Sequence, residues 1–480
     1  MSVVVVSNRV AGSKADGPIS GGLAAALIPM VSKSGAIWVG FSGDVGRARR
    51  ARDGFESIRA LGTGTIVSVD PPIEHYLGYY EGFANSALWP ALHSRVDLIR
   101  VTADHYASYR EVNVFMARAL MRLDKPDSVS WIHDYHFLPL GAEMRRLGIE
   151  RPIGFFLHTP WPDRRCIAAV PHHRDIVREM LAYDLVGFQT VEARENFEDY
   201  LRHELGITVR NDTIGSQWGW TQLATFPIGI DVDEFAARAA IAIERPDVLQ
   251  LRASLKGPKF VLGVDRLDYS KGLTNRFRAF GRMLEIEPDL KRAVSFLQIA
   301  APSRANIRAY RELKTELDAL VTEINGRHRQ SDWTPIRYLN QEFSQVTLAG
   351  LYRIAHVGLV TPFRDGMNLV AKEFVAAQNP ADPGVLILSR FAGAAKELDA
   401  ALLVDPHDVD DMAKQIANAL AMTIGERRER WQQMVTKLKR GSLQNWFFAF
   451  LNALSEARRL QSLPAINAAS TKRLRNSGVS

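Results

Sequence analysis

Val357-Gly-Leu-Val-Thr-Pro-Phe-Arg-Asp-Gly-Met-Asn-Leu-Val-Ala-Lys-Glu-Phe374 runs from a short apolar stretch, through a polar loop, into a segment of helical period. That order, strand then loop then helix, is the repeating unit of a parallel sheet covered by helices. The same alternation extends in both directions. Toward the N-terminus, Val3-Val6, Ala36-Val39, Val129-Ile132, Ile153-Leu157 and Leu185-Phe188 read as strands of one sheet. Around the quoted stretch, Phe260-Val264, Val294-Ile299, Val357-Val360, Val385-Leu388 and Ala401-Val404 read as strands of a second. Between the sets lies Phe226-Pro-Ile-Gly-Ile-Asp231, then a charged helical stretch to Lys256-Gly-Pro258, which marks the crossing between domains. The expected fold class is α/β, with two Rossmann-like domains facing a central cleft: residues 1–235, residues 236–456 with the last helices returning to the first domain, and a basic tail, 457–480.

A chain of 480 residues exceeds what one core serves, so two domains agree with its length. Hydrophobic content of 46% and charged content of 24% exclude a disordered or fibrous protein. The longest apolar stretch, Gly22 to Val31, is too short to span a bilayer, and the first residues do not read as a leader, so no membrane partner is expected. A single cysteine, Cys166, excludes an intrachain disulfide and points to a reducing, cytoplasmic location. The net charge of +7 is concentrated in Arg458, Arg459, Lys472, Arg473 and Arg475 after the last acid, Glu456. The body is therefore only mildly basic, which suits phosphate-bearing substrates better than nucleic acid.

In open α/β sheets ligands bind at strand carboxyl ends, and the chemistry-bearing residues fall there. Val261-Leu-Gly-Val-Asp-Arg-Leu-Asp-Tyr-Ser-Lys-Gly-Leu273 carries two cations, Arg266 and Lys271, past a buried strand. Fixed cations in a low-dielectric cleft stabilise the charge that develops on a departing diphosphate; ion pairs with Asp265 or Asp268 are the alternative use. In the quoted stretch Gly366 allows close backbone approach, Asp365 can accept from sugar hydroxyls, and Glu373 can accept from a ribose diol. Helix capping by Asp365 and Asn368 is the competing reading. Ser20-Gly-Gly22 supplies a helix start and Asn8-Arg9 a cation. Trp131-Ile-His-Asp-Tyr-His136 and Phe155-Phe-Leu-His-Thr-Pro160 each set a titratable group past a strand, offering His158 for a sugar hydroxyl and Asp134 for orienting an acceptor. His133 and His136 are not spaced for a metal on an extended segment. Asp231-Val-Asp233 and Asp408-Val-Asp410 read as helix caps rather than metal sites. Neither metal nor cofactor is expected.

Taken in order, Ser-Asn-Arg, Gly-Gly-Leu-Ala, Ala-Leu-Trp-Pro, Trp-Ile-His-Asp-Tyr-His, Arg-Leu-Asp-Tyr-Ser-Lys-Gly-Leu and Arg-Asp-Gly-Met-Asn-Leu-Val-Ala-Lys-Glu resemble the trehalose-6-phosphate synthases from about residue 3 to about residue 450. That family consists of metal-independent retaining glycosyltransferases of the GT-B fold. The resemblance implies transfer of glucose from UDP-glucose to glucose 6-phosphate. It sets a donor site at Gly22, Arg266, Lys271, Asp365, Gly366, Met367, Asn368, Leu369 and Glu373, with His158 on the transferred glucose. It sets an acceptor site at Arg9, Tyr80, Trp89 and Arg304 around the phosphate, with Trp38 and Asp134 near the sugar. The catalytic group it implies is Arg266, Lys271, His158 and Asp134. Thr159-Pro-Trp-Pro162 departs from the family's Ile-Pro-Phe-Pro. Transfer to another phosphorylated acceptor, such as glycerol 3-phosphate, and a non-catalytic sugar-phosphate sensor are the alternatives. Oligomeric state is left open, including a homo-oligomer.

Overall fold

The computed structural model describes residues 2–11, 22–43 and 57–461, with side chains to residue 459. Ser20 and Gly21 of the glycine-rich helix start, and the tail beyond 461, lie outside them. Nine strands form the first sheet: β1 Ser2–Arg9, β2 Ile37–Phe41, β3 Ser57–Leu61, β4 Gly64–Ser68, β5 Ser128–His133, β6 Ile153–Leu157, β7 Leu185–Phe188, β8 Thr213–Ser216 and β9 Gly219–Thr225. Six form the second: β10 Lys259–Arg266, β11 Val294–Ala301, β12 Ile336–Leu339, β13 Val357–Val360, β14 Val385–Ser389 and β15 Leu402–Val404. The orders are β3-β4-β2-β1-β5-β6-β7-β9-β8 and β12-β11-β10-β13-β14-β15. Only the edge pairs β3–β4 and β8–β9 are antiparallel. No helix among the described residues is long and apolar enough to cross a membrane.

Both faces of each sheet are covered, so the strands read as continuous apolar runs while their side chains still alternate between two cores. Val4, Val6, Ile132 and Phe155 face one core, and Val3, Val5, Trp131 and Phe156 the other. The last helix, Leu443–Gln461, returns to the first sheet and lays Phe450 on Trp131, ring centroids 4.5 Å apart. Glycines on β6 and β7 make room for it. A Cβ on Gly154 would meet the Phe450 ring at 2.7 Å, and one on Gly187 would meet it at 3.0 Å. The helix continues into the start of the tail, through residues 457–461.

Two segments therefore cross between the sheets, one at Phe226–Asp231 and one before Leu443. They touch: a Cβ on Gly229 would lie 1.8 Å from the carbonyl oxygen of Gly441. No side chain fits there without separating the crossings. Gly229→Ala is expected to lower the thermal midpoint, through an overpacking cost of about 1–3 kcal/mol or more. Gly326→Ala is the control, since nothing lies within 4 Å of its Cβ position in the helix Arg308–His328. Its midpoint should hold or rise, because Ala suits a helix interior better by roughly 0.5–1 kcal/mol. Equal behaviour of the two variants in a melting experiment would contradict the crossing contact.

Candidate active site

Every strand end singled out in the sequence opens on one cleft. From the first sheet come Arg9 at the end of β1, Asp134 just past β5 and His158 just past β6. From the second come Arg266 ending β10, Arg304 three residues past β11 and Asp365 in the loop after β13. The domains meet across this cleft. A Cβ on Gly366 would sit 1.9 Å from the His158 carbonyl oxygen, and one on Gly22 would meet the Leu369 side chain at 3.1 Å. Gly22 thus lets the start of the helix Gly22–Ser34 close on Leu369, and Gly366 lets the loop before Leu369–Ala377 close on the backbone just past β6.

On the second domain's side the alternatives left by the sequence separate cleanly. Asp265 pairs with the fully buried Arg276, which also donates to Gln298 Oε1 at 2.9 Å and Thr361 Oγ1 at 3.1 Å. Asp268 pairs with Arg304, Nη1 to Oδ2 2.9 Å. Lys271 pairs with Asp365. Burial alone would raise the Asp365 carboxyl, but Lys271 and the amide of Asn368 hold it below its ordinary value. Arg266 has no carboxylate or hydrogen-bond partner among the described residues, and its guanidinium lies over the Trp89 ring, 5.5 Å from the centroid. Asn368, at φ 78°, caps the following helix by accepting from Ala371 N–H at 3.1 Å, so capping and site geometry coexist in this loop. Met367 is buried beside it. Burial pushes the Glu373 carboxyl up to about 7 against the pull of Tyr352 and Arg238. An acceptor this poorly solvated suits a neutral diol donor.

The other half is an aromatic shelf. Tyr80 and Trp89 lie along one continuous helical stretch, the π-helix Gly78–Leu88 followed by Trp89–Leu92. Such wide turns recur at functional sites. Arg9 lies over the Tyr80 ring at 5.9 Å, and Tyr80 stacks on His136 with 5.9 Å between centroids. His136 meets Tyr135 at 4.0 Å, and Tyr135 meets Trp89 at 5.5 Å. Arg304 covers Trp89 at 4.0 Å. Burial first, then the fields of Arg304, Arg266 and Arg9, hold His136 neutral, so all three cations converge on one ring.

Arg304 is more than a ligand-facing cation. Its side chain is 4% exposed, and besides Asp268 it donates to Tyr310 and, across the domain boundary, to Tyr135 Oη at 3.1 Å. Its Nε–H remains buried without a partner among the described residues. Asp268 in turn accepts from Ser270 N–H at 3.0 Å and from the Trp89 indole at 3.4 Å. Burial would raise its carboxyl; Arg304, then Arg266, brings it down to about 2. From the sequence Asp268 was named only as a possible ion-pair partner of Arg266 or Lys271, and Tyr135 and Tyr310 were not singled out. Asp268 and Tyr135 sit inside quoted motifs, while Tyr310 lies in a helix with nothing to mark it.

Asp134 adopts φ 74° and accepts from His158 N–H at 3.3 Å; burial raises its carboxyl to about 6. Both ring nitrogens of His158 are engaged within the first domain, by His133 at 3.0 Å and by Gln189 at 3.4 Å. Trp38 does not reach the cleft. Strand alternation turns it to the other face of β2, where it is fully buried and its indole donates to Ser7 Oγ at 2.8 Å. The β2 residue on the side of the aromatic shelf is Phe41, 5.9 Å from both Tyr76 and Tyr79, and Tyr76 stacks on Tyr80 at 5.5 Å. Trp161 of the departing segment is core as well, edge-on to Phe197 at 5.0 Å. Asp231 and Asp408 are helix caps, accepting from Glu234 N–H at 3.0 Å and Asp411 N–H at 2.9 Å.

The family model for glycosyltransferase family 20 matches residues 8–456. The chain belongs to that family. It is 41% identical over 453 residues to the trehalose-6-phosphate synthase of Enterobacter sp. (strain 638), covering 94% of each chain. Among solved structures it resembles the UDP-forming alpha,alpha-trehalose-phosphate synthase of Burkholderia xenovorans in complex with glucose-6-phosphate. There the TM-score is 0.91 at 42% identity, over 94% of this chain and 99% of that one. An E. coli protein bound with UDP-2-fluoro glucose is also similar, with a TM-score of 0.88 at 39% identity over 95% and 99% of the two chains. The two facing parallel-sheet domains of this family 20 member are accordingly a GT-B fold.

The raised carboxyls give the ligand-free enzyme a pH signature. The folded state holds the Glu373 proton where the unfolded chain has already lost it, so stability falls as pH climbs from the ordinary value, 4.5, to about 7, and then levels. The loss is of order 3 kcal/mol for a shift of this size. Glu373→Gln should therefore gain thermal midpoint relative to wild type as pH rises across that window. A difference between the two proteins that does not change with pH would exclude the raised carboxyl.

Proposed function

We propose that this family 20 glycosyltransferase moves glucose from UDP-glucose to glucose 6-phosphate, forming α,α-trehalose 6-phosphate and UDP with retention at the anomeric carbon. The observation that carries the reading is the Trp89 ring, with Arg304 at 4.0 Å and Arg266 at 5.5 Å from its centroid. One cation is expected on an acceptor phosphate and the other on a donor diphosphate, and both lie against one indole. Two sugars held by these anchors have room to meet and little room to part. The relatives' names agree: they are trehalose-6-phosphate synthases, one of them solved with glucose-6-phosphate.

In this reading Arg266 and Lys271 stabilise the departing diphosphate, and Glu373 receives the ribose. The Asp365–Leu369 loop and His158 hold the transferred glucose. Arg9, Tyr80, Trp89 and the free Nε–H of Arg304 hold the acceptor phosphate, with Asp134 toward its sugar. The acceptor attacks the face from which UDP leaves, and the leaving diphosphate takes its proton. The enzyme contributes position and electrostatic stabilisation. Residues 1–235 act as the acceptor-binding domain and 236–456 as the nucleotide-sugar domain, with the last helix lent back to the first. The location in this reading is cytoplasmic.

The test is product analysis with glucose 6-phosphate as sole acceptor, across UDP-, GDP- and ADP-glucose. Trehalose 6-phosphate from UDP-glucose is the expected result, and its absence discards the reading. Arg266→Ala should cut kcat about a hundredfold or more. Arg9→Ala should raise the KM for glucose 6-phosphate about tenfold with little change in melting. Arg304→Ala is expected to do both kinds of damage, since it also leaves Asp268 buried and unpaired, a loss of about 3–5 kcal/mol.

A further inference from the structure

Gln189 follows β7, is 3% exposed, and belongs to no motif above. Its amide orientation is settled by chemistry. Oε1 lies 3.0 Å from the backbone nitrogen of Ile228, and a backbone N–H can only donate, so the amide NH2 is the end that faces Nδ1 of His158, at 3.4 Å. An NH2 also only donates. Nδ1 of His158 is therefore the acceptor and carries no proton. Burial lowers the ring to about 3, so it is neutral and its one proton sits on Nε2, 3.0 Å from Nδ1 of His133. His133, likewise kept neutral by burial, then carries its own proton on Nε2, an atom without a partner among the described residues. The opposite assignment sets two N–H groups against each other at Gln189 and also leaves Nε2 of His133 as a bare acceptor. One orphaned atom is cheaper than three.

Ile228, whose N–H orders this relay, lies in the crossing between the domains. Its carbonyl accepts from the buried Lys372 at 2.7 Å, one residue before Glu373. A single residue is thus gripped by the first domain at its N–H through Gln189 and by the second at its carbonyl through Lys372.

We propose that Gln189 is a positioning residue for glucosyl transfer: anchored on the Ile228 N–H, it fixes the His158 proton on Nε2 and keeps that ring in register with the interdomain crossing. This rests on the reading of His158 as a contact of the transferred glucose. His158 then presents a donor, and an incoming sugar hydroxyl replaces His133 as the acceptor of that proton.

The test is the nitrogen resonances of His158 in the full-length protein labelled with 15N-histidine, assigned by their disappearance in His158→Asn. Wild type should show Nε2 protonated and Nδ1 bare. Gln189→Glu offers the ring a carboxylate in place of an NH2, and should move the proton to Nδ1. It should also lower kcat about tenfold or more while the KM values stay within about twofold. A wild-type proton on Nδ1, a tautomer unmoved by Gln189→Glu, or an unmoved tautomer with unchanged kcat each overturns the proposal. So does a moved tautomer with unchanged kcat. The wild-type spectrum needs no variant to fold. A wild type that makes no trehalose 6-phosphate fails the functional reading, and the resonances still decide the relay.

Discussion

A single buried carboxylate, Asp268, holds the two halves of this enzyme in register. It is fully buried, and every group that compensates it is fixed in place: Arg304, Tyr310 and Ser270 from its own domain, the Trp89 indole from the other. Taking both charges of the Asp268–Arg304 pair out of water costs about as much as their attraction returns, so the pair is no simple source of stability. What it supplies is uniqueness. Move the domains apart and Trp89 and Tyr135 leave Asp268 and Arg304 short of partners in a poorly solvated place.

The same arrangement decides which charges remain available. Lys271 is matched by Asp365, Arg276 by Asp265, and Arg304 by Asp268. Among the described residues Arg266 is left unmatched in the cleft, and Arg9 stays exposed above Tyr80. Against these stand two carboxyls that burial has lifted, Asp134 to about 6 and Glu373 to about 7. Three non-glycine residues of the cleft, Asp134, Arg304 and Asn368, also hold positive φ. Groups so placed cost of order 1–3 kcal/mol each and persist where the surroundings over-determine them. Anions for the cations and hydroxyls for the carboxyls would relieve most of these costs at once.

Much of this was legible in the sequence because it depends on local pattern. Apolar runs of strand length, and polar residues immediately beyond them, located ten strands and the cleft edge. β3, β4, β8, β9 and β12 escaped because they are short or carry polar residues; β3 and β8 lie on exposed edges, as does β12. Trp38 went astray by one step of alternation: the strand points its indole to the other face, onto Ser7. Asp268, Tyr310 and Gln189 matter through partners 31 to 179 residues away, and no periodicity reports such a pairing.

The two crossings turn these separate contacts into one mechanism of alignment. Gly229 of the first crossing lies on Gly441 of the second, so neither can swing without the other. Next to that contact, Ile228 is bonded at its N–H to Gln189, behind β7, and at its carbonyl to Lys372, within the helix that carries Glu373. Ile228 is therefore bonded to both domains where the chain passes between them. Moving one domain against the other would also break the Trp89–Asp268 contact and take a donor from the buried carboxylate. The crossing limits how the domains move, the Trp89–Asp268 and Tyr135–Arg304 hydrogen bonds limit how far, and the sugars are expected where both limits are felt.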